Sequence, residues 1–188
     1  TPLTLAETAS VFGEMLTFQK MLESAKDKNE RKVMLAGKVE DMINTVVRQI
    51  AFYDFECKLH DARSKGELTP EDINAIWMSV QGESLGPAFE FMDGYETFWA
   101  YIPHFVHSPF YVYAYAFGDG LVNALYAVYK NNPAGFEDKY FEMLKAGGSR
   151  HHKDLLSPFG LDASDPKFWN QGLSMISSMI DELEAMEN

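Results

Sequence analysis

Two groups of side chains in this 188-residue chain have the types and spacing to do chemistry. The first is a carboxylate, Glu7, set among the small residues Ala6, Thr8, Ala9 and Ser10 at the start of a helical pattern. A carboxylate on a helix can be the third protein ligand of a catalytic zinc when two histidines come from a neighbouring helix and the fourth position is left to water. The small neighbours would let that partner helix approach closely. Read alone, one glutamate on an amphipathic helix is most often an ordinary solvated or capping residue. Glu14, seven residues on, shares its face and is either an outer partner of such a site or a surface group.

The second group runs from Trp99 to Tyr115, where His104, His107, Tyr101, Tyr111, Tyr113 and Tyr115 interrupt an otherwise apolar segment. Tyr111 and Tyr115 are one helical turn apart and share a face, while Tyr113 points elsewhere. Such tyrosines either fill a core with hydroxyls at its edge or form a substrate-facing wall whose phenols and imidazole stabilise an oxyanion.

Other chemistry-bearing residues offer less. His60 follows Glu56 by four residues, which is not the Glu-x-x-His spacing of di-iron carboxylate bundles. His151 and His152 are adjacent and so face apart; after Gly147-Gly148-Ser149 they read as an exposed loop or a helix start. Cys57 has no histidine beside it and sits at an apolar helix position, which reads as a buried thiol. Phosphate-binding glycine loops, Gly-x-Ser-x-Gly elbows and Cys-x-x-Cys pairs are absent from the sequence.

The elements that must position these groups are helical nearly throughout. Thr4 is placed to cap a first helix with Leu5, Ala9, Phe12 and Leu16 on one face. After a charged stretch, Lys26 to Lys32, apolar residues Leu35, Val39, Met42, Ile43, Val46, Ile50, Tyr53 and Cys57 recur at three- and four-residue steps, predicting one long helix from about Arg31 to about Arg63, stopped at Gly66. Thr69-Pro70-Glu71-Asp72 is a helix start with a hydroxyl cap, proline in the first turn and acids at the positive end of the dipole. Ile73, Ile76, Trp77 and Val80 follow, with a stop at Gly82. Residues 83–108 have too little periodicity to assign. Pro109 to Tyr129 reads as a buried helix closed by Asn131-Asn132-Pro133. A short amphipathic helix covers Phe136 to Leu144 and stops at Gly147-Gly148. A last one starts at Asp165-Pro166 and carries Phe168, Leu173, Ile176, Ile180 and Leu183. Strands explain nothing here, and the absence of repeats or linkers points to one all-α domain over residues 1–188.

At 46% hydrophobic the chain can bury a substantial core. A net charge of −12 without a basic cluster argues against nucleic acid and anionic membrane as partners. The single cysteine allows no internal disulfide, in keeping with a reducing cytoplasm. No signal peptide is visible, and no apolar run is long enough to span a bilayer. The chain opens on Thr1 with its hydrophobic pattern starting at once, as expected of a piece of a longer polypeptide.

Four segments together resemble the carboxyl-terminal region of the oligoendopeptidase F family, the thimet-oligopeptidase-like M3 zinc metallopeptidases. They are Leu5-Ala6-Glu7-Thr8-Ala9-Ser10, Ile102-Pro103-His104-Phe105, Pro109-Phe110-Tyr111-Val112-Tyr113-Ala114-Tyr115-Ala116 and Leu144-Lys145-Ala146-Gly147-Gly148-Ser149, in the family's order and at about its spacing. The resemblance implies an elongated all-helical fold with a deep channel, zinc at its bottom, and oligopeptides as substrates. It implies Glu7 as the third zinc ligand. His104 and the tyrosines of Tyr111 to Tyr115 would hydrogen-bond the substrate carbonyl and the tetrahedral intermediate, with Tyr111 and Tyr113 favoured, Tyr115 close behind, and His107 beside the substrate. The family's His-Glu-x-x-His does not occur in these residues, so its two histidines and general base would come from a missing amino-terminal part, and the piece alone would be inactive. The competing expectation is a stand-alone helical protein that binds a peptide or apolar ligand in its aromatic, histidine-containing groove.

Overall fold

The computed structural model describes residues 7–187, which form nine α-helices and short 3-10 segments with no strand. Thr4, expected as a cap, and Leu5 lie outside the described residues. The described residues fall into two compact units, one within residues 1–43 and 117–188, the other of residues 44–116.

In the first unit, α1 (Thr8–Glu23) buries Thr8, Phe12, Met15 and Leu22. The face expected from Ala9 and Leu16 is therefore displaced by one residue: Ala9 is exposed and Leu16 is 37% exposed, while Met15 is fully buried. Thr8, Met15 and Leu22 recur at seven-residue steps, aligned with the bulky Phe12, and this stripe wins over one built on small Ala9. Phe12 stacks on Phe136 with centroids 5.7 Å apart and meets the Tyr140 ring at 4.7 Å, tilted by 32°. Helix α2 (Lys28–Thr45) buries Leu35, Val39 and Met42 as its spacing predicts.

The helix expected to continue to Arg63 is broken at Val46 (φ −98°, ψ −69°), and α3 (Val47–Lys65) starts afresh. The run Asn44-Thr45-Val46-Val47 combines an asparagine with three β-branched residues, all poor helix formers. The break rephases the apolar stripe: α3 buries Ala51, Phe52, Phe55 and Glu56, and leaves Ile50 and Tyr53 exposed. Cys57, expected to be buried, is only half-buried.

The second unit packs α3 against α4 (Pro70–Leu85) around Phe52, Phe55, Trp77, Val80 and Val112. The predicted start of α4 is a full capping box: Thr69 Oγ1 accepts the Asp72 N–H, and Asp72 Oδ2 accepts the Thr69 N–H at 2.9 Å. Helix α4 runs through Gly82 to Leu85. The segment without periodicity holds 3-10 helices at Gly86–Ala88 and Tyr95–Tyr101, then α5 (His104–His107). A three-residue repeat has no amphipathic 3.6 signal, which explains why the sequence pattern gives it no sign.

Helix α6 (Tyr113–Asn131) carries the apolar run, and residues 117–131 belong to the first unit. There it is crossed closely by α9 (Pro166–Glu187): a Cβ added at Gly172 would lie 3.2 Å from the Gly120 carbonyl oxygen. Between them, α7 (Phe136–Ala146) ends at Gly147, whose φ of 51° suits glycine. Helix α8 (His152–Leu156) is capped by His151 Nδ1, which accepts the Lys153 N–H at 3.3 Å, so the histidine pair is a helix start. Arg31 Nε of α2 donates to Glu182 Oε1 of α9 at 2.6 Å. Among the described residues no helix is long and apolar enough to cross a membrane.

Candidate active site

The aromatic, histidine-bearing segment is anchored to α4 by three hydrogen bonds. Trp77 Nε1–H donates to the Tyr95 carbonyl at 3.0 Å, the Tyr95 hydroxyl donates to Gln81 Oε1 at 3.2 Å, and Trp99 Nε1–H donates to Asn74 Oδ1 at 2.7 Å. The Trp77 indole and the Gln81 side chain are fully buried, so the 3-10 helix Tyr95–Tyr101 is pinned against the unit's core. The chain then turns through Pro103 into α5, which starts at His104.

Across the following turn, His104 Nε2 lies 3.1 Å from the Tyr115 hydroxyl, a hydrogen bond whose direction the imidazole tautomer sets. The Tyr111 ring completes the group, 5.8 Å from the His104 ring and inclined to it by 27°, and 5.3 Å from Tyr115. All three residues are half-buried, so polar tips and ring edges remain reachable. The structure thus joins His104, Tyr111 and Tyr115; the helix expected from Pro109 starts only at Tyr113, so Tyr111 meets Tyr115 from the preceding turn and not from a shared helix face. Tyr113 sits apart, its ring 5.5 Å from Tyr53. His107 is exposed at the end of α5.

The turn that presents these tyrosines depends on two residues that the sequence pattern does not single out. Phe110 has φ 58°, in the left-handed region that aromatic residues avoid. Its N–H donates to Glu56 Oε1 at 2.8 Å, and Glu56 is 0% exposed. Burial pushes the Glu56 carboxyl above the ordinary glutamate range, against the opposing pull of the Phe110 N–H, His60 and His104. The sequence signal for the burial of Glu56 is its spacing, four residues after Phe52, on a face whose phase is set by the break at Val46.

In the first unit, Glu7 occupies the position before α1 and is half-buried. Its Cβ lies 3.4 Å from where a Cβ at Gly118 would stand, so the α1 terminus lies against α6 at ordinary contact distance. Ser10 Oγ donates to the Glu7 carbonyl at 3.0 Å and to Glu7 Oε2 at 3.4 Å. Glu14 pairs with the ammonium of buried Lys38, so it is neither free nor a partner of Glu7 here. Among the described residues no group of three His, Cys, Asp or Glu side chains could hold a metal.

The model of peptidase family M3 matches residues 1–175. The chain belongs to this family. It is 30% identical over 180 residues to an oligoendopeptidase F homolog of Borreliella burgdorferi, covering 95% of this chain and 30% of that protein. It is also 30% identical over 183 residues to oligopeptidase PepF of Bacillus subtilis, covering 97% of this chain and 27% of that one. The crystal structure of oligoendopeptidase-F from Enterococcus faecium superposes with a TM-score of 0.87 at 28% identity, over 98% of this chain and 36% of that one. This M3 chain therefore spans about a third or less of the length of its relatives.

Proposed function

We propose that this chain is the carboxyl-terminal part of a zinc-dependent metalloendopeptidase that hydrolyses peptide bonds in oligopeptides. The observation that carries the proposal is the His104–Tyr115 hydrogen bond with Tyr111 packed beside it, in a chain of the M3 family. A half-buried imidazole and two phenols suit a developing oxyanion, because donors held in place need no reorganisation when the charge forms. His104 and Tyr115 hold each other in position; Tyr111 adds a second phenol; Tyr113 and His107 would meet substrate further out.

Glu7 would hold the zinc, with two histidines supplied by polypeptide outside this chain. When bound, the metal supplies a Lewis acid and an activated water. One carboxylate fits that share of the coordination: Glu7 stands at a helix start, half-buried over Gly118, and among the described residues its carboxylate meets only a long, weak hydrogen bond from Ser10. By itself the chain would hold zinc weakly and cut nothing. The acidic composition and single cysteine of this chain are in keeping with a cytoplasmic parent that acts without nucleic acid or membrane as partner.

The test is cleavage of a quenched fluorescent oligopeptide by the parent protein and by the 188-residue chain alone. The parent should cut, lose activity to a chelator and regain it with zinc, and the isolated chain should be inert. A parent that retains its zinc and binds the peptide without cutting it would replace the peptidase with a peptide-binding protein.

A further inference from the structure

We propose that Glu56 is a positioning residue for the His104–Tyr115 pair: its buried carboxylate holds the Phe110 N–H and thereby fixes the turn that presents Tyr111 and Tyr115. The functional consequence rests on the peptidase proposal; the clamp itself does not.

Among the described residues Phe110 is the only non-glycine with positive φ. That conformation is strained for a residue with a Cβ, and persists only where surrounding contacts impose it. Phenylalanine cannot relieve it by a local side-chain hydrogen bond as asparagine can. The contacts that impose it come from α3. Glu56 Oε1 accepts the Phe110 N–H at 2.8 Å, the His60 ring lies 4.7 Å from the Phe110 ring, and the Tyr53 ring lies 6.1 Å away on an edge-to-face approach. Tyr53, Glu56 and His60 occupy successive turns of one helix, so the aromatic ring and the peptide of Phe110 are held by a single rigid element.

The leverage lies in where Phe110 stands, between the end of α5 at His107 and the start of α6 at Tyr113. The Tyr111 N–H donates to the Ser108 carbonyl at 3.2 Å, and the Ala114 N–H donates to the Tyr111 carbonyl at 2.9 Å. Rotation at Phe110 would carry Tyr111 out of this short ladder and away from the His104 and Tyr115 rings. A displacement of about 1 Å at reacting groups can cost a hundredfold in rate.

The clamp needs an acceptor at one oxygen, not a charge. Among the described residues Glu56 Oε2 is buried without a hydrogen-bond partner, and burial favours the neutral carboxyl. Glutamine keeps an acceptor of the same reach; alanine keeps none.

The experiment compares the parent enzyme with its E56A and E56Q variants by steady-state kinetics on a peptide and by hydrogen exchange at the Phe110 amide. E56A should lower kcat by about 10–100-fold with KM little changed, as lost outer support does at other sites, and E56Q should restore most of it. The Phe110 amide should be protected in wild type and E56Q, and should exchange at least about tenfold faster in E56A. An E56A enzyme with full kcat, an E56Q loss as deep as that of E56A, or an effect confined to KM would overturn the proposal. Should E56A fail to fold, Glu56→Asp, which withdraws the carboxyl by one methylene, carries the same expectation. If the wild-type parent cuts no peptide, the peptidase proposal fails while the exchange data still decide the clamp.

Discussion

His104 Nε2 and the Tyr115 hydroxyl lie 3.1 Å apart although eleven residues separate them in the chain. One stands at the start of the four-residue helix α5 and the other in the first turn of α6, so the pair exists only because the turn between the helices is fixed. Each ring orients the other, and the Tyr111 ring stands alongside both. Under the proposed function, donors ordered in this way would be held ready for a charge that forms during reaction.

Substitution of these tyrosines should therefore be graded. If the parent is the proposed peptidase, Tyr115→Phe and Tyr111→Phe are each expected to lower kcat by about 100-fold with little change in KM, the signature of an interaction made in the transition state. Tyr113→Phe should cost less than about tenfold, because its ring packs against Tyr53, away from His104. Steady-state kinetics on one peptide substrate checks the order; equal losses at all three positions would contradict it.

The buried Asp119 makes the stability of the first unit sensitive to pH. It is 3% exposed, accepts a hydrogen bond from Asn123 Nδ2 at 2.8 Å, and burial raises its pKa to about 6 despite the attraction of Lys38. Because its folded pKa lies above its unfolded one, the fold binds a proton that the unfolded chain releases. That contribution is intact below about pH 4 and lost as pH rises through about 6. Asp119→Asn should raise stability at pH 7.5 by on the order of 1–3 kcal/mol, with the gain shrinking towards pH 4. Denaturant unfolding at the two pH values reads this; a gain that grows on acidification would contradict it.

The crossing of α6 and α9 should tolerate no side chain. A Cβ at Gly172 would meet the Gly120 carbonyl oxygen at 3.2 Å and the Gly120 Cα at 3.3 Å, and backbone cannot yield as a flexible side chain can. Gly172→Ala is expected to destabilise by about 1–3 kcal/mol through overpacking. Gly37→Ala, in α2 with nothing within 4 Å, should stabilise by about 0.5–1 kcal/mol instead. Thermal unfolding of the two variants should show Tm shifts of opposite sign.

The all-helical class and the starts of α4, α7 and α9 were legible in the sequence, because caps, prolines and a 3.6-residue period act locally. The buried face of α3 was not. Four residues of weak helix propensity around Val46 break the helix and rephase its stripe, so Ile50 and Tyr53 read as core while Phe52, Phe55 and Glu56 form it. The shifted phase also hid the role of Glu56, which the sequence shows only as a carboxylate four residues before His60 and not as a buried group. The segment from Gly86 to Tyr101 was opaque for a different reason: its order comes from hydrogen bonds to Trp77, Gln81 and Asn74, none of them local. Glu7 could be singled out from its small neighbours and from resemblance, but the glycine that receives it, Gly118, is more than a hundred residues away.

The most direct measurement is the zinc content and peptide-cleaving rate of the parent protein beside its Glu7→Gln variant. With Glu7 as an inner ligand, the wild-type protein should carry one zinc per chain. The variant should lose metal affinity by more than the roughly 10–100-fold typical of outer-shell changes, and its cleavage should fall with it. A Glu7→Gln protein that holds stoichiometric zinc with unchanged affinity and cuts peptide at the wild-type rate would show that this carboxylate does not hold the metal.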